Sequence, residues 1–302
     1  MSESKRKRGR PTNKIQYDNE KILGLIDRPN NNGAIIELTY ADPIIFKQGF
    51  ELFNKHDIDI TQIRFYEDSV YIIAIKYDSI DPNKVEIMDI INVNCKKVSS
   101  YFTKKEEKII ELKCRDIYEI TSKLDTNMRD FTMYLHKFDK DSKLHIKIKL
   151  STISSVAHYK LYLTENSKIT EIHFPPISNY PIKFRVKPSI LKKLISDMFK
   201  GSSEFSLDKN GLDPLTLSYK TDRLEANLPL SDDLFSIQSN IDDNDIFSIT
   251  VKKDSVHPFT NLNFKSDYIY IYADKTQKFA LRSHLNNDSI IITSYIEIKK
   301  YN

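Results

Sequence analysis

The stretch AIIELTY at residues 34–40, followed by Asp42-Pro43 and then IIFKQGFELFNK at residues 44–55, decides how this chain folds. A short run rich in β-branched and apolar residues reads as a strand, and a proline at the head of the next run suits a first helical turn, where its missing N–H has no partner to lose. Ile45, Phe46, Gly49, Phe50 and Phe53 then share one helical face, with Lys47, Glu51 and Lys55 opposite at spacings of four. Strand-like sequence resumes at Ile58.

The same order returns about half a chain later. Residues 181–186 read as a strand, Pro188 starts a turn, residues 190–200 carry an apolar helical face, and a strand resumes at Glu204; Phe53 and Phe199 close the two faces. Further on, residues 109–113 run into a short helix at 116–120, answered by 247–251 running into 254–259. The rest is strand-like, at 63–76, 98–102, 131–138, 144–150, 157–164, 215–219, 268–272, 279–285 and 290–298. The expected class is α+β: two β-rich copies of one unit, each with two helices. So many strands need their edges covered, and pairing of edges between subunits would do that.

At 302 residues and 40% hydrophobic content, the chain is long enough for two cores. No apolar run approaches the roughly 20 residues of a membrane span, and residues 1–14 are too charged for a secretory leader, so an intracellular protein without a membrane partner is expected. Cys95 and Cys114 lack metal-ligand spacing and read as reduced, structural thiols. The six glycines never fall at phosphate-loop or dinucleotide spacing, the seven histidines form no metal motif, and no serine sits in a nucleophile elbow. No catalytic constellation, metal site or cofactor is expected.

Charge is placed unevenly. Residues 1–14 hold Lys5, Arg6, Lys7, Arg8, Arg10 and Lys14 against Glu3, although the whole chain is only +4. A near-neutral body holds a polyanion only if its cations are gathered on one surface. Within the tail, Arg8-Gly9-Arg10-Pro11 matches the core of an AT-hook, whose arginines enter the narrow minor groove of A·T-rich DNA. A nuclear-localisation-type run or a solvated tail stands beside that reading. The basic residues on the helices, Lys47, Lys55, Arg115, Lys123, Lys192, Lys193, Lys200, Lys252 and Lys253, read singly as solubility and together as a belt around a duplex.

Residues 165–180, ENSKITEIHFPPISNY, join the copies. Ile169, Ile172 and Phe174 are apolar in what reads as a surface connector, either pinning it to the sheet or walling a partner pocket.

Strand, proline-started helix, strands, second helix and strands, performed twice across a connector, resembles the sliding clamps of the proliferating cell nuclear antigen (PCNA) family. The basic N-terminal segment with LTYADPIIFKQGFELF at residues 38–53 is similar to PCNA-like proteins of large cytoplasmic DNA viruses. The resemblance implies a duplicated clamp fold: a tail and linker at 1–33, clamp units at 34–164 and 181–302, and an interdomain connector at 165–180. It implies a non-enzymatic homotrimeric ring around double-stranded DNA, tethering DNA polymerase and other replication and repair proteins through short hydrophobic peptides, at a viral replication site in host cytoplasm. The helix cations above would line the hole. Partners would bind at Pro82, Ile169, Ile172, Phe174, Tyr295 and Ile296, and subunits would join through Tyr159, Leu161, Tyr162 and Leu163 against Leu234, Phe235 and Ile237. Glu51, Asp116 and Glu119 dilute the basic lining, and Pro258 is expected to shorten the last helix. An architectural or virion DNA-binding protein and a processivity factor that closes no ring remain alternatives.

Overall fold

The computed structural model describes residues 33–81, 84–104, 107–136, 143–150, 155–164, 177–198, 201–210, 213–221, 223–230, 236–239, 246–262, 264–274 and 278–297. The tail with Lys5, Arg6, Lys7, Arg8 and Arg10, together with Pro82, Ile169, Ile172, Phe174, Phe199, Lys200, Leu234 and Phe235, lies outside them.

The first copy runs β1 (Ala34–Tyr40), α1 (Ile44–Lys55), β2 (Ile60–Tyr66), β3 (Ser69–Tyr77), β4 (Val85–Asn94), β5 (Ser100–Thr103), β6 (Glu107–Lys113), α2 (Cys114–Thr121), β7 (Met128–His136), β8 (Lys143–Leu150) and β9 (Val156–Tyr162). The second repeats it as β10 (Ile182–Val186), α3 (Pro188–Lys193), β11 (Glu204–Asn210), β12 (Thr216–Lys220), β13 (Glu225–Pro229), β14 (Ser236–Ser239), β15 (Ile246–Lys252), α4 (Lys253–Asn261), β16 (Ile269–Ala273), β17 (Lys278–Leu285) and β18 (Ile290–Glu297). Local geometry repeats too. Asp57 after α1 and Gly201 after the third helix both take positive φ, 57° and 90°. Cys114 N donates to Asp59 O at 2.7 Å, and Lys253 N to Ser203 O at 2.9 Å.

Each copy builds the same two sheets. The first has β5-β1-β7-β8-β9 and β4-β3-β2-β6; the second has β14-β10-β16-β17-β18 and β13-β12-β11-β15. Antiparallel pairing of β18 with β4, Ile290 opposite Val93 through Ile296 opposite Ile87, fuses the second copy's five strands and the first copy's four into one nine-stranded sheet. That seam joins the two copies.

Helices and the inward faces of the sheets share one core through both copies. On α1 the buried residues are Ile45, Phe46, Gly49, Phe50, Leu52 and Phe53, and Phe46 stacks on Phe131 with ring centroids 4.6 Å apart. A Cβ at Gly49 would collide with the Ile91 side chain, so glycine lets α1 lie close on β4. Burying phenylalanine-sized side chains is worth ~1.5–3 kcal/mol each, which makes this stripe the main anchor of the helix.

Several expectations need correction. The strand at 63–76 is a hairpin, because Glu67-Asp68 turn the chain between β2 and β3. β4 and β13 were not anticipated. The third helix does not run regularly over 190–200: α3 passes at Leu194–Met198 into a π-helical turn. Pro258 does not shorten α4, which continues through it and, at nine residues, exceeds the eight of α2.

Candidate nucleic-acid interface

The four helices form a row. α2 packs on α1, α1 touches α4, and α4 packs on α3, so their outward faces make one surface running through both copies. Its cations differ in what holds them. Lys47 is half-buried and its Nζ donates to the Leu124 carbonyl at 3.0 Å, tying α1 to the end of α2. Lys55 pairs with Glu51 at 2.8 Å, and Arg115 lies 3.6 Å from Glu119. These pairs spend much of the charge in the first copy. Lys123 is exposed beyond α2.

The second copy is more open. Lys192 and Lys193 are exposed in the last turn of α3, and Lys252 is exposed at the N-cap of α4, while Lys253 is half-buried. Two further cations belong to the row. Lys113 and Lys187, both exposed, sit at the N-caps of α2 and α3. Lys113 was legible from the repeat, since it occupies the strand-to-helix junction that Lys252 occupies in the other copy.

Of the residues expected to bind partners, Tyr295 falls on the side of the nine-stranded sheet away from the helices. Ile73, Met88 and Ile90 pack with Tyr71, Ile75, Val85 and Tyr295, while Tyr180, Tyr272 and Ala280 pack with Ile177, Tyr270 and the same Tyr295. Tyr295 thus joins two apolar clusters across the seam. Ile296 does not belong with it. Neighbouring strand residues face opposite sides, and Ile296, 3% exposed, points into the core against Phe279 and Ile87. Burial pushes the Tyr180 hydroxyl well above the usual phenol range, with Tyr295 and Asp274 adding to it. The hydroxyl is buried and lacks a hydrogen-bond partner among the described residues. Beside the patch, Asp78 Oδ1 accepts from Ile80 N at 2.7 Å, shaping a turn that holds Ile80 out in solvent, 86% exposed. Both ends of the connector are anchored: Thr164 N donates to Glu111 O at 2.9 Å, and Ile177 packs in the tyrosine cluster.

Along β9, Tyr162 is 66% exposed, but Leu161 is buried in the core; Tyr159 and Leu163 pack against that core half-buried. Ile237 on β14 lies opposite Phe184 of β10 and is also half-buried.

Burial lifts both thiols to about 12, Cys95 with help from Asp68 and Cys114 from Asp89 and Asp59. Neither is a thiolate at neutral pH. Among the described residues, no three His, Cys, Asp or Glu gather as a metal centre, and no helix is long and apolar enough to cross a membrane.

No family model matches the chain. It is 25% identical over 269 residues to an uncharacterized protein of a South African tick isolate of African swine fever virus, covering 83% of this chain and 85% of that protein. The counterpart from a Malawian tick isolate is 23% identical over 263 residues, with the same coverage. Among solved structures, proliferating cellular nuclear antigen from Entamoeba histolytica superposes with a TM-score of 0.69 at 11% identity, over 88% of this chain and all of that one. PCNA from Thermococcus kodakaraensis gives 0.69 at 14% identity, over 87% and 100%. The chain has the duplicated PCNA clamp fold.

Proposed function

We propose that this chain is a DNA sliding clamp: a head-to-tail homotrimer that surrounds duplex DNA with its helices inward and holds replication and repair proteins on its outer sheet. The observation that carries the reading is the seam. β18 of the second copy pairs with β4 of the first inside one chain, which leaves β9 and β13, the equivalents of β18 and β4, as unfilled edges among the described residues. The same bond made between chains is a heterologous contact, and such contacts close into a ring when the rotation permits. Six units around one axis close it here.

Carrying the seam's register across the repeat gives the contacts. Ile292, Ser294 and Ile296 face Ile91, Asp89 and Ile87 within the chain. Their equivalents set Ala157 opposite Leu228, Tyr159 opposite Ala226, and Leu161 opposite Leu224 of the next subunit. Leu224, 54% exposed in one chain, becomes covered. On the outer face, Lys160 meets Glu225. This replaces the strand near residues 234–239 expected from sequence: β14 corresponds to β5, which takes no part in the seam.

The row of helix cations supports duplex DNA as the enclosed ligand, with Lys192, Lys193 and Lys252 contributing more than the acid-paired Lys55 and Arg115. The tail, with its AT-hook-like Arg8 and Arg10, adds a tether. The tyrosine and methionine patch around Tyr295 receives short hydrophobic peptides of a polymerase and other partners. Likeness to proteins of African swine fever virus supports a viral replication site in host cytoplasm as its place. The test is mass by light scattering combined with retention on circular but not linearised plasmid. A single-subunit mass at micromolar concentration, or equal loss from both DNAs, overturns the reading.

A further inference from the structure

The duplicated unit presents a docking face twice, and the two faces differ in charge. In the second copy, Tyr272, Ala280 and Tyr295 stand in one row on the side of the sheet away from the core, Tyr272 opposite Ala280 and Ala280 opposite Tyr295. In the first copy the same row reads Tyr134, His145 and Lys160. The apolar patch has become cationic.

The neighbouring rows follow. Lys147 and Lys149 are exposed on β8, with Arg129 exposed opposite Lys149 on β7. Lys143 lies over the Tyr162 ring at 4.8 Å and Lys147 over the Tyr134 ring at 4.7 Å. Tyr134 stacks on His145 with centroids 4.7 Å apart, Tyr134 Oη and His158 Nε2 are 2.9 Å apart, and His145 Nδ1 and His158 Nε2 are 3.1 Å apart. Rings and cations are therefore interleaved across three strands. Opposed to them is Glu37, half-buried beside Lys147, whose carboxyl burial pushes up and Lys147 pulls down. A metal ion is a poor occupant for the histidine pair, because the surrounding lysines repel it.

We infer that the outer face of β7, β8 and β9 binds single-stranded DNA. A positive surface that follows a phosphate backbone, studded with aromatic rings on which bases stack, is the general form of a single-strand site. The face lies on the opposite side of its sheet from the helices, so a duplex held by the helix row does not reach it. An unpaired strand leaving that duplex does. Tyr162, 66% exposed at the end of the cation rows, supplies a stacking platform.

The experiment uses the full-length protein and a fluorescein-labelled oligothymidylate, with affinity measured across a salt series. Changing Arg129→Glu, Lys147→Glu and Lys149→Glu together, all away from the β9 edge, is expected to weaken binding at least tenfold and to flatten the log–log salt slope by about 2, as three single-strand phosphate contacts require. The matching glutamine triple, which guards against misfolding of the glutamates, weakens it in the same direction by less. Unchanged affinity and slope in both triples overturn the inference. So does a loss confined to an oligoglutamate probe, which marks an acidic protein as the occupant, or equal binding and equal loss with a duplex of the same length. Retention of the triples on circular plasmid stays at the wild-type level if the clamp reading holds, so failure of one proposal is distinguishable from failure of the other.

Discussion

His56 Nδ1 lies 2.6 Å from Asp89 Oδ2, and the other ring nitrogen, Nε2, lies 3.1 Å from the Ser255 carbonyl oxygen. One imidazole thus fastens the end of α1 to β4 in its own copy and to α4 in the other. A carbonyl cannot donate, so Nε2 carries a proton, and a carboxylate at Nδ1 favours a second. Asp89 Oδ1 has no hydrogen-bond partner among the described residues, nor does Ser294 Oγ directly across the seam. Desolvation pulls His56 down, Lys76 also lowers it, and the Asp89 charge, the Asp89 hydrogen bond and the Ser255 carbonyl more than offset both, leaving its pKa raised.

A raised folded value means the pair stabilises fully below the unfolded histidine value of about 6.5 and is lost as pH rises through the folded value. Urea midpoints of the wild type are expected to decline above about pH 6.5. In Asp89→Asn that decline flattens, and stability near pH 6 drops by about 3–5 kcal/mol, the usual cost of orphaning one member of a buried pair. A variant that keeps the wild-type slope would show that His56 is not the titrating group.

Leu224→Asp should dissociate the assembly while sparing the subunit. The residue is 54% exposed in one chain, so its replacement removes little from the fold; at the proposed inter-subunit edge it loses the burial of a leucine, ~1.5–3 kcal/mol, and adds the desolvation of a carboxylate. Gln238→Asp, exposed on β14, is the matched control and leaves the mass unchanged. If Gln238→Asp dissociates the protein and Leu224→Asp does not, the 234–239 edge is the true joint.

How much of this was readable beforehand depends on what each segment packs against. α1 was legible to its last residue because one face is apolar and the other wet. β4 was missed since both its faces are covered at the seam, so VEIMDIINVN lacks alternation, and Asp89 in its centre reads as an interruption until His56 supplies its partner. β13 was missed for the opposite reason: EANLP buries little in a single chain. Tyr295 and Ile296 were grouped by sequence proximity, whereas strand parity sends them to opposite faces. The cation row was visible residue by residue, but the Lys47 anchor and the acid pairs needed the fold.

Those pairs make the helix row unequal. Lys192→Glu with Lys193→Glu is expected to weaken duplex binding and flatten its log–log salt slope by about 2, given roughly 0.9 counterions per contact. Lys55→Glu, which exchanges a cation already paired with Glu51, changes it less. Lys47→Ala lowers stability by about 0.5–1.5 kcal/mol through the lost hydrogen bond to Leu124. Equal slopes for the Lys192/Lys193 double variant and the wild type would place the duplex elsewhere.

Deleting residues 1–14 tests the tail apart from the proposed ring. Binding to linear A·T-rich duplex should weaken and lose salt dependence, because Arg8, Arg10 and the flanking lysines no longer release counterions. Retention on circular plasmid persists. Equal affinity for A·T-rich and G·C-rich duplexes before the deletion would rule out minor-groove reading by these arginines.

Adjacent residues on β18 should give opposite phenotypes. Tyr295 joins the two apolar clusters on the outer sheet, so Tyr295→Ala removes contact area from the surface offered to a hydrophobic peptide. Loss of one well-packed aromatic anchor typically costs 2 kcal/mol or more, which is about thirtyfold in affinity or greater. Assembly and DNA retention are unaffected, because the patch lies away from both the helix row and the β9 and β13 edges. Ile296→Ala instead opens a cavity in the core and lowers unfolding stability by about 2–5 kcal/mol, with peptide affinity of the remaining folded protein close to wild type. Peptide binding by fluorescence anisotropy and denaturant midpoints, measured on both variants, settle the assignment. Should Tyr295→Ala unfold the protein as readily as Ile296→Ala while binding peptide normally, the outer clusters are structural packing and partners dock on another surface.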